Sequence, residues 1–154
     1  MNFEDRINSI INGLRHDVHT WSKEERAVMR ILVNARDNKV GKITQVEIAQ
    51  NADWMGCHPK YEDVKRNETT LRKVRQVVRD LRINRGAPIL SDDDGYWIPR
   101  FQEEIDEYMD RLERIAKAQA ASYLETYKAM DSILGVRSKY FETQRGLIDN
   151  DSSV

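Results

Sequence analysis

Residues 67–98 leave few folds open. Leu71, Val74, Val78 and Leu81 recur at spacings of 3, 4 and 3, which is one face of an α-helix. Arg72, Arg75, Arg79 and Arg82 repeat those spacings one residue later, so a cationic edge lies beside the apolar one. Asn67 is suited to cap the start of this helix. Gly86 can supply the left-handed residue that ends it, and Pro88 forbids its continuation. Asp92-Asp93-Asp94-Gly95 then separates Pro88–Ser91 from Tyr96–Pro99, and Asp-Gly between β-prone residues signals a hairpin. The segment therefore predicts an arginine-striped helix over 67–84, a sharp stop and a short hairpin.

The residues before it supply further helices. Phe3, Ile7, Ile10, Ile11 and Leu14 have helical spacing within 3–15, and residues 16–21 read as a connector. Ser22 and Glu25 form a capping-box pattern, in which the hydroxyl accepts from the third helical amide and the carboxylate reaches back. The helix it opens runs to about residue 36 and is expected to bury Ala27, Val28, Ile31, Leu32 and Ala35. Residues 37–41 form a turn. Thr44 and Glu47 repeat the capping box and open a short helix to about residue 52, with Ile48 and Ala49 facing inward. Residues 53–66 read as irregular, with Trp54, Met55 and Tyr61 as the expected anchors.

From Phe101 to Leu134 the chain contains no Gly or Pro. Ile105, Met109, Leu112, Ala116, Gln119, Tyr123, Thr126, Met130 and Ile133 alternate at spacings of 4 and 3, a heptad-like seam. At 1.5 Å per residue such a helix reaches about 50 Å, more than a small domain needs. Its centre, Ala116 to Ala121, is small enough for close contact between helices. Length and small centre point to self-association along this seam, with Tyr123 and Tyr127 as the alternative surface for a different protein. Residues 146–154 read as a frayed tail.

The formal net charge of −1 over 154 residues conceals two opposed regions. Residues 65–85 carry eight basic side chains against Glu68 and Asp80, a local +6. Residues 101–134 carry eight acidic side chains against Arg111, Arg114, Lys117 and Lys128, a local −4. One cysteine, Cys57, excludes an intrachain disulfide and fits a reducing compartment. No apolar run approaches the ~20 residues that span a bilayer, and no signal-like leader is evident, so a cytoplasmic protein is expected. His16, His19, Cys57 and His58 lack zinc-finger spacing and read as connector residues. No phosphate loop, dinucleotide fingerprint, nucleophile elbow or metalloprotease motif is present, so neither an enzyme nor a cofactor is expected.

A helix, the Thr44-x-x-Glu47-Ile48-Ala49 helix, the arginine-striped helix and the hairpin follow one another in the order of winged helix-turn-helix domains. The stretch from Leu81-Arg82 through Gly86, Pro88-Ile89-Leu90-Ser91 and Gly95-Tyr96-Trp97-Ile98 resembles the wing region of biotin-operon-repressor-type DNA-binding domains. There a helix ending in Leu-Arg and Gly precedes an Ile/Ser strand and a Gly-Tyr turn. Small winged-helix regulators of bacteria and their phages are similar here. The resemblance covers residues 22–99. It departs from the pattern at 53–66, which is long for a link usually of about 3–4 residues, and nothing resembles a biotin ligase catalytic domain.

The resemblance implies a non-enzymatic DNA-binding module that reads the major groove with the first turns of helix 67–84. The residues it points to are Asn67, Thr69, Arg72, Lys73 and Gln76, with Glu68 among them. Arg72 or Lys73 would donate to guanine and Gln76 would pair with adenine. Arg75 and Arg79 would reach phosphates, and Thr44 and Gln45 would cap a phosphate at the preceding helix. The acidic tip, Asp92 to Asp94, would be repelled by phosphate, so this wing is expected to stand off the duplex or to meet protein.

The sequence thus predicts a mainly α chain with a small β-hairpin: an N-terminal helix and connector at 1–21, a winged-helix domain at 22–100, a dimerisation helix at 101–145 and a tail at 146–154. The expected function is a homodimeric, cytoplasmic, nucleoid-associated transcriptional regulator bound to double-stranded DNA. The alternative is a protein-interaction adaptor in replication or phage host takeover, using the acidic wing and the C-terminal helix.

Overall fold

The computed structural model describes residues 1–54 and 59–134. Met55, Cys57 and His58, the end of the segment at 101–145 expected to dimerise, and the tail expected at 146–154 lie outside the described residues. The chain divides into two units, Met1–Asp106 and Glu107–Val154.

Local chemistry sets the boundaries in the first unit. Helix α1 (Phe3–His16) begins where the Asn2 side chain accepts from the Asp5 amide at 2.8 Å, with Glu4 and Asp5 facing the positive end of the helix. A 3₁₀ turn follows at Val18–Thr20. Helix α2 (Lys23–Asp37) opens on the Ser22–Glu25 capping box, and α3 (Gln45–Asn51) opens on the Thr44–Glu47 box. In both, the hydroxyl accepts from the third amide and the carboxylate accepts from the cap amide, as the spacing requires.

Residues 59–66 are more ordered than their composition suggests. A one-turn helix, α4 (Tyr61–Lys65), forms without any side-chain cap. Its anchor is Val64, which is fully buried, whereas Tyr61 is 45% exposed and does not hold the segment down. Trp54 does pack against the core, and Gln50 Nε2 donates to the Pro59 carbonyl at 3.2 Å, tying the segment back to α3.

Helix α5 (Glu68–Arg85) starts at Asn67, whose side chain accepts from the Thr70 amide at 3.0 Å. It stops at Gly86, which has φ +71 and places the Ala87 amide on the Leu81 carbonyl at 3.0 Å. The stripe that α5 buries is wider than Val74, Val78 and Leu81, because Thr70 and Val77 are buried too and Leu71 only partly. The cause is coverage from several sides: α5 packs against α2, α3 and α4. Burying a side chain such as Leu81 stabilises by about 1.5–3 kcal/mol, so this face fixes the helix in place. On α2 the core takes Val28, Met29, Leu32, Val33 and Ala35, while Ala27 and Ile31 are only half-buried.

Strands β1 (Leu90–Asp92) and β2 (Gly95–Trp97) pair antiparallel, with Leu90 opposite Trp97 and Asp92 opposite Gly95. Ile43 joins them through a bridge to Tyr96, with both amide–carbonyl bonds at 2.9 Å. This third extended segment explains Gly95. Its φ is +143, and a Cβ there would lie 2.5 Å from the Ile43 carbonyl oxygen. Ile7 and Ile11 of α1 join the same core as α2, α3, α5 and the hairpin.

Helix α6 (Gln102–Leu134) is a single helix among the described residues. At its start Glu104 accepts from the amides of Arg100 and Phe101 at 2.6 and 3.0 Å. The chain is therefore mainly helical, with a small two-stranded hairpin and a long C-terminal helix.

Candidate nucleic-acid interface

With one face of α5 buried, the helical period sends residues three and seven positions apart to the other side. Thr69, Arg72, Arg75, Gln76 and Arg79 are all exposed there. Arg72 and Arg79 have no hydrogen-bond or ion-pair partner among the described residues. Two guanidiniums one above the other along a helix repel each other weakly and remain available to an external anion.

The remaining candidates are engaged to different degrees. Arg75 donates from Nη1 to Gln45 Oε1 at 3.1 Å and pairs with Glu68. Gln45 in turn donates to the Tyr96 hydroxyl at 3.3 Å, so α3, α5 and the hairpin share one polar chain. Arg75 is thus held in orientation while staying exposed. Gln76 donates to Asp80 at 2.9 Å. Asn67 and Thr44 spend their side chains on helix caps, which leaves Thr44 its structural role first.

Lys73 lies to one flank. Its ammonium is 3.2 Å from Glu24 and 4.9 Å from the Trp54 ring centroid. The Glu24 carboxyl is held below its usual range by a backbone hydrogen bond and by Lys73. Lys73 therefore braces α5 against α2 and Trp54 rather than standing free beside Arg72.

The arginine stripe splits at its C-terminal end. Arg82 Nε donates to the Ile89 carbonyl at 2.7 Å and Nη2 to the Ser91 hydroxyl at 2.9 Å, which binds the hairpin to α5. Arg85 reaches Glu25 and the Thr20 carbonyl, at 3.3 and 3.2 Å, and lies 5.9 Å above the Trp21 ring. With Lys73, three of the cations that make residues 65–85 basic are therefore struts. The signal for Arg82 was present in its position, one turn before the Gly86 stop and a few residues before a strand.

The hairpin tip is less repulsive than its three aspartates suggest. Lys42 pairs with Asp92, lies 3.9 Å from Asp94 and sits 4.6 Å from the Trp97 ring centroid. Partial burial pushes the Asp92 carboxyl up, but Lys42 and the amides of Asp94 and Gly95 outweigh it and hold the group below the usual carboxylate range. Asp94 remains 84% exposed. No sequence pattern pointed to Lys42, which lies 50 residues from its partner.

In the second unit, Met109, Leu112, Tyr123, Met130 and Ile133 of the heptad-like seam are exposed, as are Ala116 and Gln119. Ile115, off the seam, is also 43% exposed and widens the apolar face. Ile105, in the first unit, packs partly against the core. His16 ends α1 and His19 lies in the 3₁₀ turn, both exposed. Among the described helices none is long and apolar enough to cross a membrane. No family model matches this chain, and no curated protein or solved structure matches it.

Proposed function

We propose that the chain is a sequence-specific DNA-binding protein of winged-helix design that acts as a homodimeric transcriptional regulator in the cytoplasm. The observation that carries this reading is the outward face of α5, where Arg72 and Arg79 are exposed without a protein partner and Arg75 is pre-oriented by Gln45. A face that carries two uncompensated guanidiniums, Arg72 and Arg79, on a helix packed from behind is what a major groove flanked by phosphates attracts. Arg72, nearest the start of α5, is the base-reading residue, bidentate to guanine. Arg79 and Arg75 contact phosphate, and Thr69 and Gln76 flank the reading position. The Ile43 bridge to the hairpin supports the winged-helix reading, because it adds the third extended segment to the wing.

The exposed seam on α6, from Met109 to Ile133, supports pairing with a second copy. Two recognition helices would then read an inverted repeat, and linkage would raise affinity through effective concentration. Selection of bound duplexes from a random-sequence library tests both statements. An enriched inverted repeat whose half-sites lie about one helical turn apart, roughly 10 bp, is expected; recovery of unenriched sequence would remove the regulator reading.

A second reading rests on the exposed Asp94 at the hairpin tip and the apolar face of α6. In it, the same domain is an adaptor that binds protein through these two surfaces. Failure to bind any duplex at low salt, together with a stable dimer, would favour it.

A further inference from the structure

A cavity of about 190 Å³ opens between the last turn of α1, the 3₁₀ turn and α2. Its floor consists of the buried side chains of Ile11, Trp21, Met29 and Val33. The Trp21 indole is held in place from beyond the cavity by Arg85, itself tied to Glu25 and Thr20. The wall is therefore preformed and apolar on one side.

Its rim has the opposite character. Arg15, from the last turn of α1, and Arg26 and Arg30, one turn apart on α2, all line the opening. All three are exposed, and none has a hydrogen-bond or ion-pair partner among the described residues. No acidic side chain lines the cavity among the described residues. Like charges one turn apart on a helix destabilise it slightly, so this arrangement costs stability unless an anion joins it. A guanidinium presents a planar fork of donors that fits a carboxylate in bidentate fashion.

Size narrows the choice. An apolar protein cavity of about 150 Å³ accepts a benzene-sized body, and drug-sized ligands need roughly 300 Å³ or more. A body slightly larger than benzene fits, with an apolar tail for Trp21 and Met29 and a single anionic head for the rim. We propose that this cavity binds a small apolar carboxylate, a medium-chain fatty acid or an aryl acid, with its head between Arg26 and Arg30 and within reach of Arg15. The proposal does not depend on DNA binding.

Sodium octanoate and 1-octanol share the tail and differ in the head, so they separate the rim from the floor. Calorimetric titration of the full chain should show octanoate binding at least about tenfold more tightly than 1-octanol, the size expected from charge-assisted hydrogen bonds. The double variant Arg26→Gln with Arg30→Gln changes exposed residues only, and circular dichroism checks that it stays folded. It should lose the preference for octanoate while binding 1-octanol as before. Absence of octanoate binding, equal affinity for the two probes, or an undiminished octanoate preference in the double variant would each overturn the proposal.

Discussion

Arg82 donates from Nε to the carbonyl oxygen of Ile89 at 2.7 Å, and this contact fastens the hairpin to α5. The Ser91 hydroxyl takes a second bond from the same guanidinium. Arg82 shares the spacing of Arg72, Arg75 and Arg79, yet its work is structural. Replacing Arg82 with Ala leaves the carbonyl of buried Ile89 without this donor, and hydrogen bonds to charged groups are worth about 1.5–3 kcal/mol. Arg82→Ala should lower the unfolding free energy from urea titration accordingly, whereas Arg72→Ala, which removes no partnered group, should leave it within about 0.5 kcal/mol. Equal effects of the two variants would mean that the stripe is uniform after all.

Gly95 carries a backbone that other residues rarely adopt, with the Ile43 carbonyl oxygen where a Cβ would lie. Gly95→Ala must push apart the Ile43–Tyr96 bridge or abandon the turn. Strain of this kind costs about 1–3 kcal/mol, so the variant should melt at lower temperature by calorimetry. By contrast Gly13→Ala, on α1 with nothing near the added methyl, should be neutral or stabilising by up to about 1 kcal/mol.

What was legible in the sequence was what depends on neighbours within a turn. The Ser22–Glu25 and Thr44–Glu47 boxes, the Asn67 cap and the Gly86 stop all involve residues at most a few positions apart, and each element begins or ends there. Val77 and Thr70 were missed because the width of a buried stripe depends on how many helices cover it, and α2, α3 and α4 all pack against α5. Helix α4 has no side-chain cap, so it left no signal beyond Val64. The bridge from Ile43 to Tyr96 and the pairing of Lys42 with Asp92 join residues some fifty positions apart, beyond any local pattern. In the candidate site, exposure of Arg72, Arg75 and Arg79 followed from periodicity, but the bracing roles of Lys73 and Arg82 required knowing what α5 leans on.

The Asp92 carboxyl titrates below its usual value in the folded chain, chiefly because Lys42 and two amides offset the effect of burial. A folded-state pKa below the unfolded one adds stability above the unfolded value, and that increment fades as pH falls through the folded value. Asp92→Asn should therefore cost stability near neutral pH and cost progressively less below about pH 4. Urea unfolding of both chains at pH 7 and pH 3 measures this; a penalty that grows on acidification has the wrong sign.

The exposed seam on α6 predicts a defined oligomer. Leu112→Glu with Tyr123→Glu places two charges on that face, where burial of an unpaired charge is prohibitive. Multi-angle light scattering should give a dimer for the parent chain and a monomer for the variant, with helicity retained. A parent chain that is monomeric at high concentration would remove self-association along the seam.

DNA recognition by the exposed face of α5 that carries Arg72 and Arg79 is tested most directly by fluorescence anisotropy of a short labelled duplex, titrated with the parent chain and with Arg72→Ala/Arg79→Ala between about 50 and 200 mM salt. The parent chain should bind, with log affinity falling linearly against log salt as counterions are released. The double variant should lose about 1–3 kcal/mol from the base contact at Arg72, and its salt slope should shrink by about 1 for the phosphate contact at Arg79. A parent chain that fails to bind at low salt, binds without regard to salt, or binds no better than the double variant would contradict DNA recognition through α5.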